Sequence, residues 1–265
     1  MDQSVKPAKA QGLKAQAPWI GSRGRIGVII PSTNIGVEYD CQRIIPPGVT
    51  WHFGRFFVEQ PDLSSDDMFL AFIAAIRKTI PHAIRDIMTC EPSYIMMGMS
   101  AETFWGGLEG NVEFEEKLRE DIGPAMGLTS GAAALKAALD AFGAKTVAAL
   151  TPYQPVGDEQ VHRFLEESGY TVTNVVGLKC DTATSIAHTP PREVIETVLH
   201  ELDGDNVDAI VQAGTNLSTQ DIFPALEQQL GKPVIPINIA TIWHALRAQG
   251  IDDKIFGRGW LLERF

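Results

Sequence analysis

Ser100, Thr215 and Asn216 each follow, within two residues, a glycine that ends a short apolar run. The two runs are Tyr94-Ile95-Met96-Met97-Gly98-Met99-Ser100 and Ala209-Ile210-Val211-Gln212-Ala213-Gly214-Thr215-Asn216, close to half the chain apart. Small hydroxyl and amide side chains beside exposed backbone N–H groups stabilise an oxyanion or bind a carboxylate. The alternative is close backbone packing that needs glycine. Two further clusters have the same character. Ser32, Thr33 and Asn34 follow Pro31, and Tyr153 follows Thr151-Pro152. Helix capping explains one of the first three, and ligand binding explains all of them. Tyr153 is either a hydroxyl donor to the same ligand or an ordinary half-buried tyrosine. Glu102 stands beside Thr103, Phe104 and Trp105. In an apolar cleft its pKa rises, as a general acid or base requires; on a loop surface it does nothing.

Other chemistries lack their motifs. There is no GxGxxG, GxxxxGK[ST] or GxSxG, no HxxxH or HxH among six histidines, and no CxxC among Cys41, Cys90 and Cys180. A nucleotide phosphate cradle, a local metal site and a serine elbow are therefore not expected. The net charge of −11 argues against a nucleic-acid or anionic-membrane partner, and it leaves small anions open. Three widely spaced cysteines and no apolar leader suggest a reduced, cytoplasmic protein.

The elements that position these residues alternate. Strands are expected at 25–30, 50–58, 94–97, 146–150, 170–176, 207–212 and 233–235. β-branched and apolar runs of this kind suit parallel strands buried on both faces. Helical spacing follows Asp66-Asp67 and is interrupted by Pro81, where the helix kinks or restarts. Further helices are expected at 113–119, from 129–131 to 142, after 153, and at 191–202, 219–230 and 239–249. Such βα alternation predicts an α/β fold: two pseudo-symmetric Rossmann-like halves with parallel sheets and an active site in the cleft between them. The expected division is a flexible arm over 1–24, a first half over 25–142 with 237–265 packing back on it, and a second half over 143–236.

The RIGVIIPSTN start, the strand into GMS, the TPY turn and the AGTNLSTQDIFPALEQQLGKPVIPIN stretch followed by Trp243 resemble the maleate isomerase and arylmalonate decarboxylase family of the aspartate/glutamate racemase superfamily. The resemblance runs from about Arg25 to the end. It implies two Rossmann-like halves around one active site, no metal or organic cofactor, and small carboxylate or dicarboxylate substrates. By position it implies that Asn34 holds a substrate carboxylate. Ser100, and Met99 through its backbone, belong to the pocket for a carboxylate or enediolate, and Tyr153 caps that pocket. Racemases and maleate isomerases of the superfamily carry a cysteine at each of the two strand ends, and the decarboxylases keep the second. Here Gly98 and Gly214 stand at those places.

Without thiols, the expectation is a cofactor-independent lyase, of decarboxylase or elimination type, that acts on a small carboxylate or dicarboxylate through a carbanion or enediolate. Glu102 or Tyr153 is the expected proton carrier, with Ser32, Asn34, Gly98, Met99, Ser100, Gly214, Thr215 and Asn216 around the substrate. The alternatives are a hydrolase of an acid amide or imide with Glu102-activated water, an isomerase or racemase with a base other than cysteine, and a non-catalytic carboxylate binder. A homodimer or homotetramer is expected.

Overall fold

A computed structural model describes residues 19–59 and 62–265. Residues 1–18 of the expected arm lie outside the described residues; Trp19 and Ile20, which follow, are exposed.

The first half runs β1 (Gly24–Pro31), α1 (Gly36–Gln42), β2 (Val49–Phe56), α2 (Asp66–Ile76), α3 (Ile80–Met88), β3 (Tyr94–Met97), α4 (Ala101–Phe104), α5 (Gly107–Ile122), β4 (Leu128–Thr129) and α6 (Gly131–Phe142). The second half begins with β5 (Thr146–Thr151), α7 (Pro155–Glu167) and β6 (Thr171–Gly177). It continues with α8 (Pro191–Thr197), β7 (Ala209–Gln212), α9 (Phe223–Leu230) and β8 (Val234–Pro236). Helices α10 (Ile237–Ala248) and α11 (Trp260–Arg264) close the chain. All pairings between these strands are parallel. The two four-stranded sheets have the same order, β2-β1-β3-β4 and β6-β5-β7-β8. The fold is α/β.

The central strands explain the symmetry. Ile26, Val28, Ile29 and Ile30 of β1 and Val147, Ala148, Ala149 and Leu150 of β5 are fully buried, because helices cover both faces of each sheet. Burying one such Ile or Val contributes roughly 1.5–3 kcal/mol. In each half the central strand and its inner neighbour, β1 with β3 and β5 with β7, end together, so their following loops share one end of the sheet. Ligands bind at that end in open α/β sheets. After β8 the chain returns: α10 packs on α6 and against β3 and β4.

Several local expectations change. At Pro81 the helix restarts rather than kinks, with Pro81 in the first turn of α3, where its missing N–H leaves no bond unmade. The segment after Gly98 forms the one-turn helix α4. Gly106 and Gly107 then take φ of 81° and 71°, a left-handed turn that lets α5 start at once and extend well beyond 113–119. Leu128–Thr129 adds a two-residue strand too short to carry a periodic signal. Among the described residues no helix is long and apolar enough to cross a membrane.

Candidate active site

The loops after β1, β3, β5 and β7 meet in a small pocket of about 50 Å³ between the halves. Its polar lining residues are Thr33, Asn34, Ser100, Tyr153, Thr215 and Asn216. Its apolar lining includes Leu63, Phe69, Phe72, Met99, Ala183 and Ile186.

Ser100 occupies the N-cap position of α4, but its side chain caps nothing there and is free for the cleft. Its Oγ lies 2.7 Å from the Tyr153 hydroxyl and accepts the Thr215 backbone N–H at 3.1 Å. Two O–H hydrogens serve the Ser100–Tyr153 pair. One is used between them, so one O–H remains to donate outward. Thr215 Oγ1 accepts from Asn34 Nδ2 at 3.1 Å, which leaves its own O–H available as well. The site therefore offers two hydroxyl donors, enough for both oxygens of a carboxylate or enediolate.

Tyr153 is held from several sides. Its backbone N–H donates to Thr151 Oγ1 at 3.0 Å, and Thr151 Oγ1 donates to Asp158. Its ring packs on Phe69, with centroids 5.6 Å apart. A Cβ at position 157 would come within 2.7 Å of Tyr153 Cβ, so Gly157 leaves room for the ring. Burial drives the phenol pKa well above its ordinary value, against a small opposing effect of the Ser100 hydrogen bond. The group stays protonated and acts as a donor.

Two asparagines lock the loops across the halves. Asn34 Oδ1 accepts Val37 N–H at 3.0 Å, while Asn216 Oδ1 accepts Ile35 and Gly36 N–H at 2.9 and 3.1 Å. Helix α1 is thus capped from the opposite half. Asn216 Nδ2 donates to Ala183 O at 2.8 Å. Behind the Thr215 loop, Asp40 accepts from Ser218 Oγ at 2.6 Å and Asn238 Nδ2 at 2.7 Å, and the same Nδ2 reaches Thr215 O at 2.9 Å. Burial pushes Asp40 up to about 6.

Of the residues expected at the site, Asn34, Met99, Ser100, Tyr153, Gly214, Thr215 and Asn216 line this pocket. Three do not. Ser32 continues the strand pairing of β1 with β2, and its Oγ accepts Val58 N–H at 2.9 Å. Gly98 lies behind the pocket: a Cβ there would stand 2.5 Å from Ile30 Cγ2 and 3.0 Å from Val37 Cγ1. Glu102 lines a different cavity, where its Oε1 accepts from Arg77 Nε at 2.5 Å. It follows Ser100 by two residues, about 200° around a helix, so the two side chains leave α4 on opposite sides. Glu102 cannot move a proton in the cleft from there.

Gly214 borders the pocket for a steric reason too. A Cβ there would lie 2.4 Å from Pro152 Cδ and 2.6 Å from its Cγ. Neither Gly98 nor Gly214 has a positive φ, so close approach, not backbone conformation, is what demands glycine. Among the described residues that line the pocket there is no Cys, His, Lys, Arg, Asp or Glu. Cys41 is buried in α1, Cys90 is exposed and Cys180 is partly buried. The apolar wall and the Asp40–Asn238 support were not anticipated. Phe69 and Phe72 carry the same helical spacing as core residues, and no local pattern links Asp40 to Asn238.

The profile of the arylmalonate decarboxylase family matches residues 65–262. The chain belongs to this family. Among curated relatives, the maleate isomerase of Nocardia farcinica is 25% identical over 246 residues, covering 91% of this chain and 96% of the relative. The arylmalonate decarboxylase of Bordetella bronchiseptica is 26% identical over 232 residues, covering 86% and 92%. Among solved structures, the Nocardia farcinica maleate cis-trans isomerase with a covalently bound succinylcysteine intermediate superposes with a TM-score of 0.81 at 25% identity, over 91% of this chain and 98% of that one. Relatives in the arylmalonate decarboxylase family are enzymes, and this chain is an enzyme of that family.

Proposed function

We propose that the chain is a cofactor-independent lyase that decarboxylates a small dicarboxylate, with both carboxylates on one carbon, through an enediolate. The observation that carries this reading is the lining of the pocket: hydroxyl and amide side chains together with apolar ones and, among the described lining residues, no ionisable group except a tyrosine held protonated.

Decarboxylation asks least of such a site. The C–C bond to the leaving carboxylate breaks, CO₂ departs, and the electron pair passes into the retained carboxylate as an enediolate. No base is needed to begin. The developing negative charge falls on two oxygens, where the free O–H of the Ser100–Tyr153 pair and that of Thr215 donate. The apolar lining residues Leu63, Phe69, Phe72 and Ile186 would place carbon rather than water beside the leaving carboxylate. The carbanion then takes one proton, from Tyr153 or from water.

The rival chemistries ask for groups that are elsewhere. A thiolate addition, as the bound succinylcysteine of the Nocardia farcinica isomerase records for that enzyme, needs a cysteine in the pocket. We infer that Gly98 and Gly214 stand where such cysteines would be, with Ile30 and Pro152 filling the space of their side chains. Two-base racemisation needs an acid/base on each face of the substrate carbon. Hydrolysis by Glu102-activated water needs Glu102 in the cleft. Turnover of a panel of malonates and small carboxylates, followed by CO₂ release, tests the reading. Parallel incubation in oxygen-18 water separates it from hydrolysis, which places label in the acyl product. Label in the product without CO₂ overturns it.

A further inference from the structure

Helix α2 is apolar on every side. Of its 11 residues only the first two, Asp66 and Asp67, are polar. A helix of that kind is normally buried all round. Here only one face is. Phe69, Ile73 and Ile76 are buried, while Met68 and Leu70 are 45% and 42% exposed, and Ala71, Ala74 and Ala75 are exposed with them. A groove of about 390 Å³ flanks this outer face, lined by Met68, Ala71 and Ala75 together with Phe57, which is 68% exposed. A contiguous exposed apolar surface of this kind marks a contact site for another macromolecule.

The charges at the two ends of the helix select the occupant. Lys78 lies in the turn that prolongs α2, where its N–H donates to Ala75 O at 3.2 Å. Asp67, Ala71, Ala74 and Lys78 are spaced four, three and four residues apart, so they fall on one exposed stripe. The stripe is acidic at its start, small and apolar in its middle and basic at its end. Such a surface is complementary to itself when reversed. Laid antiparallel about a two-fold axis, Asp67 faces Lys78 of the partner subunit, and Met68 faces Ala75 of the partner subunit, a large side chain against a small one. Ala71 and Ala74 let the two helices approach closely where they cross. No charged residue stands between Asp67 and Arg77 to be buried unpaired.

We propose that this face of α2 joins two copies of the chain in an isologous dimer, α2 against α2. The interface does not depend on which reaction the cleft performs. It does bear on the cleft, because Phe72 lines both the groove and the cleft and Phe69 packs on Tyr153. Pairing thus steadies the helix that carries the aromatic lining of the pocket.

Analytical ultracentrifugation of the full chain tests this. A concentration-dependent dimer with a Kd of roughly micromolar order is expected. Ala71→Glu sets two carboxylates against each other beside the axis and is expected to weaken the dimer at least about a hundredfold. Asp67→Lys and Lys78→Asp each place like charges opposite one another and are expected to weaken it about tenfold. The double variant restores both pairs with their sense reversed, so its Kd is expected to return to within about threefold of wild type. The three substituted side chains are exposed and none lines the cleft; the charge-reversal set keeps the proposal testable if Ala71→Glu fails to fold. A chain with the mass of one copy at about 100 μM overturns the proposal. So does a dimer that Ala71→Glu leaves intact, or a double variant weaker than either single one, which is what association through another surface gives.

Discussion

The hydroxyls of Ser100 and Tyr153 lie 2.7 Å apart although they come from loops of opposite halves, after β3 and after β5. Thr215 N–H, from the loop after β7, joins them through Ser100 Oγ. Three loops thus converge on one donor cluster, and removing a member should act on turnover more than on folding. Tyr153→Phe and Ser100→Ala are each expected to lower kcat/KM about 10²–10³-fold, the usual effect of deleting one oxyanion donor. Steady-state kinetics beside thermal melts check this: a large fall in Tm with an unchanged specific activity of the folded fraction would contradict it.

The cross-half lock should act the other way. Asn216 accepts Ile35 and Gly36 N–H and donates to Ala183 O from a nearly buried position. Asn216→Ala leaves these groups unpaired at the start of α1. A loss of about 1–2 kcal/mol is expected, as for a deleted helix cap. Denaturant unfolding measures it; a loss below about 0.3 kcal/mol would show that water replaces the lock.

Installing a thiol at the second strand end should be costly. A Cβ at position 214 meets the Pro152 ring at 2.4 Å, and that ring cannot rotate away. Gly214→Cys is expected to destabilise by about 1–3 kcal/mol through overpacking. Gly98→Cys meets Ile30 Cγ2 at 2.5 Å and is expected to behave likewise. Paired melts of the two variants decide whether the wild-type cleft has room for sulphur.

Burial raises four carboxyls: Glu102, Asp40 and Asp158, the latter two to about 6, and Glu227 to about 7. A carboxyl whose folded pKa exceeds its unfolded value binds more protons in the native state. Its contribution to stability is therefore greatest below the unfolded pKa, near 4, and is lost as pH rises through the folded value. Stability from these groups should fall between about pH 4 and pH 7. Asp40→Asn removes one of them, so its Tm should fall less steeply than wild type over that window. Identical slopes would show that Asp40 is not held up in the folded protein.

Much of this was legible in the sequence, for identifiable reasons. β1 and β5 are buried on both faces, so their apolar runs announce parallel strands, and the loops that follow carry Asn34 and Tyr153 into the cleft. Three-dimensional direction was not legible. Ser100 and Glu102 are two residues apart, yet the single turn of α4 sends one to the cleft and the other behind it. Ser32 looks like Asn34 in the sequence, but the pairing of Ser32 with Phe56 at the end of β2 and with Val58 just beyond it turns it away. Phe69 and Phe72 show only helical periodicity, which does not distinguish a pocket wall from a core. Asp40 and Asn238 are close because α10 folds back against α1, a tertiary event with no local signature.

The central claim is that the cleft breaks a C–C bond and delivers one proton to the carbanion. Incubation of an α-substituted malonate with the enzyme in D₂O tests it most directly, with CO₂ and product deuterium measured together. The expected result is one CO₂ per turnover and one deuterium at the α-carbon, with the rate falling at least a hundredfold in Tyr153→Phe. Conversion of maleate to fumarate with no CO₂ from any malonate would contradict the account.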